Sequence, residues 1–304
     1  MAVPKRGMDH GLYPFSLLPA RPAFTWPGGG RVALFVLLHL EHLELEPPEG
    51  ARRDPRFASE FGPYAPDYRT WSQREYGNRV GIFRVLEVLD RHGVRPTVAA
   101  NASACERYPY LVEELRRRGS EFVGHGTHAT RLITSAMSDG EERAAIGAAT
   151  RAVAAAAGAP PAGWLGQDAG ESARTPTLLA EAGYRYLLDW ANDEQPYRIE
   201  TPAGGLVAVP NPVELDDAQL FWLRRADTWR YPELVGDALG MLLEDASAGG
   251  ARVLGLGVRP WLFGMAHRIR YLDEALARAA LMLGVWQTTA GEIASAWDAA
   301  HPAP

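Results

Sequence analysis

Residues 121–132 hold the side chains best suited to chemistry in this sequence. An apolar run there ends at Gly124 and is followed by four polar residues, His125, Thr127, His128 and Thr130. This order is typical of a parallel strand whose carboxyl end carries a site. Two histidines separated by two residues can bind a metal or transfer protons. Loop histidines bonded to the backbone would give the same pattern, so the rest of the chain must decide between the two explanations.

Polar and aromatic side chains follow the other apolar runs in the same way. After successive runs come His39, Glu41, His42 and Glu44; Asn101; Gln167 and Asp168; Asp189, Trp190, Asn192 and Asp193; Asn211, Glu214 and Asp216; and Arg259, Trp261 and His267. Charge blocks elsewhere, such as 116–118 and 141–143, are typical of solvated helix faces. Acids, imidazoles and indoles after seven runs favour one site where the strand ends meet.

The elements that must position these residues alternate between strand and helix. Strands are predicted at 31–38, 97–100, 122–124, 163–165, 186–188, 206–209, 252–257 and 285–288. Helices are predicted at about 78–91, 104–118, 138–157, 175–182, 232–248, 272–282 and 290–297. This alternation predicts an α/β fold with a parallel, helix-covered sheet, and the number of strands favours an irregular barrel.

The remaining segments complete the predicted organisation. Residues 1–30 are rich in proline and glycine and are expected to form an extended arm, followed by one domain over 31–304. Residues 46–77 are expected to form a long loop, and long ordered loops are often functional.

Composition narrows the class of protein. The 304 residues are 47% hydrophobic and carry a net charge of -6, with no basic stripe of the kind that binds nucleic acid. Cys105 is the single cysteine, which excludes an intramolecular disulfide and fits a reducing cytoplasm. Neither a signal peptide nor an apolar run of about 18 residues is present, so we expect a cytoplasmic protein without a membrane span. A homo-oligomer is left open.

Five short motifs resemble those of a known superfamily. They are Tyr76-Gly77-Asn78-Arg79-Val80-Gly81, Gly124-His125-Gly126, Gly163-Trp164-Leu165-Gly166, Asp189-Trp190-Ala191-Asn192-Asp193, and Arg259-Pro260-Trp261-Leu262-Phe263-Gly264 followed by His267-Arg268. Over roughly residues 9–298 the chain resembles the polysaccharide deacetylase (NodB-homology) superfamily, in its allantoinase-like cytoplasmic branch. The resemblance implies a distorted (β/α) barrel of about seven parallel strands. It also implies hydrolysis of C–N bonds other than peptide bonds, by water attack on a carbonyl.

The sequence departs from the metal-dependent members at three positions. Their first strand ends in an Asp-Asp pair, which falls on Glu41 as base and His42 as metal ligand. The second histidine of their His-x-x-x-His motif falls on Ala129, one residue after His128. Their late acid histidine falls on Arg259, which cannot release a proton near neutral pH but can stabilise an oxyanion.

These positions lead to a set of predicted site residues. The predicted catalytic residues are Glu41, His125 and Arg259, and a metal, if one binds, is expected at His42, His125 and His128. Substrate contacts are predicted for Trp164, Trp190, Asp193, Glu214, His267 and Glu75. Simpler explanations exist: core packing for the tryptophans, a salt bridge of Glu75 with Arg79, and pairing of Arg259 with Glu41 or Asp193.

The predicted function is hydrolysis of an amide, ureide or N-acyl bond in a small molecule, with no cofactor. One alternative is a catalytically degenerate barrel that binds a small ligand, and another is a deacetylase that uses zinc or another divalent metal through shifted histidines. A serine hydrolase is disfavoured because no Gly-x-Ser-x-Gly setting occurs. Buried packing is the expected role of Cys105.

Overall fold

An unbroken apolar run, Val32–Leu40, forms the strand around which the sheet is built, and all nine of its residues are buried. Continuous apolar character is expected of a strand that is covered on both faces. The computed structural model describes residues 4–48, 51 and 66–302. No helix among the described residues is long and apolar enough to cross a membrane.

The described residues contain nine strands and nine α-helices, with short 3-10 and π turns between them. The strands are β1 (Val32–Leu40), β2 (Thr97–Ala100), β3 (Glu121–Gly124), β4 (Gly163–Trp164), β5 (Tyr186–Leu187), β6 (Tyr197–Thr201), β7 (Gly204–Ala208), β8 (Arg252–Val258) and β9 (Val285–Thr288). The helices are α1 (Tyr68–Tyr76), α2 (Ile82–Arg91), α3 (Ala102–Arg107), α4 (Pro109–Arg117), α5 (Asp139–Ala157), α6 (Thr175–Glu181), α7 (Tyr231–Gly249), α8 (Ile269–Ala280) and α9 (Ala290–Ala300).

The strands form one curled sheet in the order β6-β7-β5-β4-β3-β2-β1-β8. Along β1, β2 pairs with the carboxyl half, from Leu37, and β9 pairs with the amino half, from Val32. Every pairing is parallel except that of β6 with β7. The predicted distorted (β/α) barrel is confirmed, as an incomplete barrel.

The alternation of side chains along β1 places the site inside this barrel. Leu34, Leu38 and the other even-numbered residues pack with the apolar faces of α2, α7 and α8. Phe35 and Leu37 belong to a second core cluster in the barrel interior. Because side chains of a strand alternate between its faces, His39 and the next odd position, Glu41, continue this interior row.

Three local predictions differ from the structure. The predicted loop 46–77 lies partly outside the described residues, but its last part is α1, whose Asp67 side chain caps the backbone N–H of Thr70. No residue of α1 is buried, so the sequence carries no apolar periodicity that would reveal it. The predicted helix 104–118 is divided into α3 and α4 at Tyr108, because the residue before a proline avoids the helical conformation.

The third difference is β6, which no apolar run predicted. It pairs antiparallel with β7 at the end of the sheet, and only Ile199 of its five residues is buried. An edge strand needs little apolar character, so the alternation of strands and helices does not reveal it.

Candidate active site

The ends of β1 and β3 bring two imidazoles and one carboxylate together. His125 Nε2 lies 3.0 Å from Glu41 Oε1, and His39 Nδ1 lies 3.4 Å from the same oxygen. The side chains of His125, His39 and Glu41 are 1%, 4% and 11% exposed. Together with Arg259, Asp216 and Asp217, we call these residues the inner cluster.

The hydrogen bonds of His125 determine how many protons His125 and Glu41 share. Its Nδ1 lies 2.8 Å from the carbonyl oxygen of Leu165, which can only accept, so Nδ1 carries a hydrogen and donates it. The contact of Nε2 with Glu41 then requires one more proton, on either the imidazole or the carboxyl group. The carboxylate form of Glu41 therefore corresponds to a His125 that donates from both nitrogens.

Electrostatics favour that carboxylate form. Burial by itself would raise the pKa of Glu41, but the hydrogen bond from His125, the nearby His39 and the charge of Arg259 hold the pKa well below its ordinary value. The amide of Gln167 also donates to Glu41 Oε1 at 3.0 Å. Among the described residues no hydrogen bond reaches Glu41 Oε2, so one oxygen is fixed and the other is available to a ligand.

Gln167 reaches Glu41 from a strained turn after β4. Asp168 and Ala169 adopt φ of 50° and 52°, a left-handed conformation that costs free energy in residues other than glycine. The backbone N–H of Gly166 donates to Asp189 Oδ1 at 2.6 Å and holds the start of this turn. Burial and then the nearby Glu171 raise the pKa of Asp189 well above its ordinary value.

His39 is a neutral imidazole between two carboxylates. Its Nε2 lies 4.0 Å from Asp216 Oδ2, on the side opposite Glu41. Burial and then the positive charge of Arg259 lower the pKa of His39 to about 4. Neither ring nitrogen has a hydrogen-bond partner among the described residues, which is rare for buried polar groups.

Arg259, at the end of β8, is anchored by two aspartates. Its Nη1 lies 2.7 Å from both carboxylate oxygens of Asp216 and 3.2 Å from Asp217 Oδ1, and its backbone N–H donates to Asp217 Oδ2 at 2.6 Å. The simpler sequence explanation named the wrong partners, because neither Glu41 nor Asp193 pairs with this guanidinium. No hydrogen bond within the described residues engages its Nε or Nη2.

The two aspartates differ in their ionisation. Burial would raise the pKa of Asp216, but the charge of Arg259 and the hydrogen bonds that its guanidinium donates lower it overall. For Asp217, burial and then the negative charge of Asp216 outweigh Arg259 and raise the pKa to about 8.

A small cavity of about 20 Å³ adjoins the inner cluster, enough for about one water molecule. Its lining residues are His39, Glu41, Leu43, Arg74, Gly77, Asn78, Ala129, Pro260 and Trp261. Asn78 donates from Nδ2 to the carbonyl oxygen of Glu41 at 2.9 Å, which fixes the end of β1. The guanidinium of Arg74 lies 3.6 Å from the ring centroid of Trp261, a cation–π contact that forms part of the wall.

Three other predicted site residues, His42, Glu75 and His128, lie together with Glu44 and Tyr108, and we call these five residues the outer cluster. His42 Nδ1 lies 3.1 Å from the Tyr108 hydroxyl, which donates to Glu75 at 2.7 Å. His128 Nε2 lies 3.5 Å from Glu44. The rings of His42 and His128 are 6.4 Å apart.

The structure does not bring His42, His125 and His128 together as metal ligands. In the part of the chain that the structure describes, the group with all donor atoms within 4.8 Å is His39, Glu41 and His125. His42 follows Glu41 directly and therefore faces away from the barrel interior. This cluster also leaves the expectation of a cofactor-free site without support.

The two predicted pocket tryptophans have structural surroundings. Trp164 is fully buried in a core cluster, with its ring centroid 5.4 Å from that of Tyr184. Trp190 donates from Nε1 to Glu171 at 2.9 Å and packs against Tyr13 of the N-terminal segment. Neither lines the cavity beside Glu41. Core packing, the simpler explanation, accounts for Trp164.

The predicted polar contacts at Asp193, Glu214 and His267 also lie outside that cavity. Asp193 accepts two hydrogen bonds from Arg21, at 2.8 and 2.7 Å, and so ties the N-terminal segment to the barrel. The side chain of Glu214 is 63% exposed and pairs with Arg224, and His267 is exposed. Charged residues that follow a strand can thus turn outward along the loop, which residue type alone does not reveal.

Sequence reasoning placed His39 among the strand-end residues but gave it no role in the site, and it passed over Asp217 and Arg74. A signal existed for His39, which precedes Glu41 by two positions and so shares its face of β1. Asp217 and Arg74 gave no such signal, since one lies in an irregular segment and the other on a helix that the sequence did not predict.

Known proteins resemble this chain in sequence over most of its length. A family model described as polysaccharide deacetylase matches residues 75–187. A protein of Schizosaccharomyces pombe named "Putative polysaccharide deacetylase" is 28% identical over 251 residues, which are 75% of this chain and 76% of that protein.

Solved structures share the fold. A "probable polysaccharide deacetylase" from Pseudomonas aeruginosa PAO1 superposes with a TM-score of 0.82 at 25% identity, covering 96% of this chain and 100% of the other. PuuE allantoinase superposes with a TM-score of 0.83 at 24% identity, covering 96% and 99%. The resemblance to the polysaccharide deacetylase superfamily that the motifs indicate is thereby confirmed.

Proposed function

We propose that this protein hydrolyses a C–N bond in an amide, ureide or N-acyl group of a small molecule, with Glu41 as the base. The observation that carries the proposal is the asymmetry of the Glu41 carboxylate. His125 and Gln167 hold Oε1 at 3.0 Å each, while Oε2 has no hydrogen bond among the described residues and Glu41 lines the cavity. The similarity to deacetylases supports hydrolysis of an N-acyl or amide bond.

The first step is water attack on the carbonyl carbon. Glu41 Oε2 takes a proton from the water molecule as the new C–O bond forms. When no cation is bound, His125 donates to Oε1 and fixes the orientation of the carboxylate. The free Nε and Nη2 hydrogens of Arg259 are the donors available to the developing oxyanion, and Asp216 and Asp217 hold the guanidinium in place.

The second step breaks the C–N bond. The leaving nitrogen takes the proton that Glu41 accepted, which returns Glu41 to its carboxylate form and releases an amine, ammonia or a urea fragment. Glu41 acts as base and then as acid because Arg259 stands where related enzymes have a proton-donating histidine.

The resemblance to the superfamily implies a divalent cation, and the donor atoms of the site determine whether one can bind. Ala129 supplies no ligand and His42 faces the outer cluster, but the donor atoms of His39, Glu41 and His125 lie within 4.8 Å of one another. These three residues would hold the cation, which when bound would polarise a carbonyl or lower the pKa of bound water.

A ligand-binding barrel without catalysis is the second candidate. The observation in its favour is that Arg259 pairs with both Asp216 and Asp217. A fixed cation therefore stands where related enzymes have a proton-donating histidine. The two functions are separated by incubating wild type and Glu41→Gln with ureides, N-acetyl amines and N-acetyl sugars, and measuring ammonia, acetate and product mass. Turnover by wild type alone supports hydrolysis. Two equally inert proteins, with a compound that raises the melting temperature of both, support binding.

A further inference from the structure

We propose that the substrate carries a carboxylate close to its scissile amide, ureide or N-acyl group, and that Arg74 and the indole N–H of Trp261 bind this carboxylate. The inference rests on the proposed function and deepens it, because it names the class of small molecule that the same site accepts. N-acyl and N-carbamoyl amino acids have this arrangement of groups. Neutral ureides and uncharged N-acetyl sugars lack the carboxylate and should bind more weakly.

Arg74 brings a second guanidinium to the site, in addition to that of Arg259. It lines the small cavity together with Glu41, and its guanidinium lies 3.6 Å from the ring centroid of Trp261. A guanidinium that stacks on an aromatic ring keeps its N–H groups directed along its own plane, where they can bind a planar carboxylate bidentately. It has enough N–H donors to serve a partner within the protein and a ligand at the same time.

Trp261 adds a fixed donor to the same wall. It is 4% exposed and lines the cavity, and its Nε1 has no hydrogen-bond partner among the described residues. A buried indole N–H usually has an acceptor. Close packing holds the residue in place: a Cβ at Gly77 would lie 2.7 Å from the backbone N of Trp261, and the ring of Trp222 packs edge-on at 5.3 Å. An acceptor oxygen on a ligand would satisfy this N–H.

The type of donor determines which ligand group fits. In the proposed reaction Glu41 serves the water molecule and Arg259 serves the oxyanion, which leaves Arg74 and Trp261 without a role. Neither of these two side chains can accept a hydrogen bond. The complementary group must therefore offer acceptor oxygens without a hydrogen of its own. A carboxylate meets this requirement, whereas a hydroxyl or a primary amide brings donors that would find no acceptor there.

Electrostatics favour an anion over a neutral acceptor. Burial lowers the pKa of Arg74 to about 10, and the positive charge of Arg259 acts in the same direction, while Glu41 and Asp217 act against it. Arg74 is still a cation near neutral pH, so two guanidinium groups repel each other at this site. A carboxylate bound beside them would offset that repulsion, and in a buried site such a charge-assisted hydrogen bond is stronger than a neutral one.

The helix that carries Arg74 can adjust to a ligand. The cavity beside Glu41 measures about 20 Å³, so a molecule larger than water requires part of its wall to move. None of the nine residues of α1 is buried, and a segment with little buried surface is displaced at low cost. The wall that moves to admit the substrate therefore also carries the cation that binds it.

The test compares substrates that differ in a single charge. N-acetylglycine and N-carbamoylglycine are each paired with the corresponding primary amide, and kcat/KM is measured for both members. We expect wild type to prefer the acid by about 10–100-fold, the range for a hydrogen bond to a charged group. Arg74→Gln, which removes the charge, should lower this ratio at least about tenfold. Arg74→Lys keeps the charge and should retain part of the ratio, which separates charge from packing.

Two further variants locate the effect. Trp261→Phe keeps a ring beneath the guanidinium but removes the N–H, so the ratio should fall about 3–10-fold. Arg79→Gln is the matched control, because Arg79 is an exposed arginine that follows α1 and does not line the cavity. It should keep the ratio of wild type. A ratio that falls equally in Arg79→Gln and Arg74→Gln would overturn the inference, because it would reflect the net charge of the protein alone.

Binding is measured apart from turnover by calorimetry on Glu41→Gln with N-acetylglycine and N-acetylglycinamide. The acid should bind at least about tenfold more tightly, and adding Arg74→Gln should remove the difference. An acid that binds through Arg74 in a protein that hydrolyses no compound would remove the proposed function and leave this inference intact. Equal kcat/KM or equal affinity for acid and amide, turnover confined to neutral compounds, or no binding of any acid would overturn the inference.

Discussion

The inner and outer clusters contain similar residues at the same end of the barrel, but their carboxylates differ in what holds them. Glu44 accepts hydrogen bonds from Thr130 and from both Nε and Nη2 of Arg131, at 2.5, 3.1 and 2.7 Å. Glu41 is approached only at Oε1 by the described residues, and the neighbouring His39 is left without a hydrogen bond.

This difference shows that residue type and strand-end position are insufficient to identify a reactive group. A carboxylate whose oxygens are occupied by an arginine serves mainly to fix a loop. A buried carboxylate with one fixed and one free oxygen is oriented and still available to substrate. We therefore expect substitutions in the inner cluster to affect turnover, and the matching ones in the outer cluster to affect it little.

The largest effect is expected for Glu41→Gln. The change keeps the side-chain shape but removes the proton acceptor, so kcat should fall about 10²–10⁴-fold. Glu75→Gln in the outer cluster is the matched control and should remain within about threefold of wild type. Steady-state kinetics on the best substrate of the panel measures both. Equal losses in the two variants would remove the distinction between the clusters.

Arg259→Lys should follow in magnitude. Lysine keeps the positive charge between Asp216 and Asp217 but replaces a planar fork by a single ammonium group, so the donors toward the oxyanion are lost. We expect kcat to fall about 10²-fold with a smaller change in KM. Arg131→Lys, which alters the arginine that binds Glu44, is the control. A change confined to KM would mean that Arg259 binds the ground state of the substrate instead.

A smaller loss is expected for Gln167→Ala. It removes one hydrogen bond to Glu41 Oε1, worth about 0.5–1.5 kcal/mol, so kcat should fall about 3–10-fold. Gln195→Ala removes a buried hydrogen bond to the carbonyl of Ala251, at the N-terminal segment, and should leave kcat unchanged. A larger loss with Gln195→Ala than with Gln167→Ala would contradict the positioning role of Gln167.

Most strands of the sheet could be predicted from the sequence because the central strands are apolar on both faces. The predicted bounds of β2 and β9 agree with the structure, and β1 is extended by two residues at its carboxyl end. Segments without apolar periodicity, namely α1 and β6, were not predicted.

For the site, the sequence predicted residues that lie at the end of a strand, but it did not predict the residues with which they pair. Glu41 and His125 meet because β1 and β3 both pair with β2 in parallel register. The partners of Arg259 depend on how the irregular segment around Asp216 and Asp217 crosses to β8, which no periodicity encodes. The direction of His42 and His128 likewise depends on loop geometry.

The smallest predicted effect compares the pH dependence of stability in the two clusters. In the inner cluster, burial and then Asp216 raise the pKa of Asp217 to about 8. The folded protein thus binds more protons at Asp217 than the unfolded chain between about pH 4 and pH 8. The contribution of Asp217 to the free energy of unfolding must fall as pH rises through this window, by at most about 1.4 kcal/mol per pH unit.

Glu44 in the outer cluster should show the opposite sign. Burial would raise its pKa, but hydrogen bonds from Arg131 and Thr130 lower it overall, so its contribution to stability is present near neutral pH and is lost as pH falls below about 4. Denaturant unfolding at pH 4, 6 and 8 measures both contributions. Relative to wild type, Asp217→Asn should gain stability with rising pH, because the amide cannot ionise and its oxygen still accepts one of the two hydrogen bonds from Arg259. Glu44→Gln should instead lose stability relative to wild type as pH rises from 4 to 6. Parallel pH profiles for the two variants would show that Asp217 is an ordinary ionised partner of Arg259, and that the two clusters do not differ in this respect.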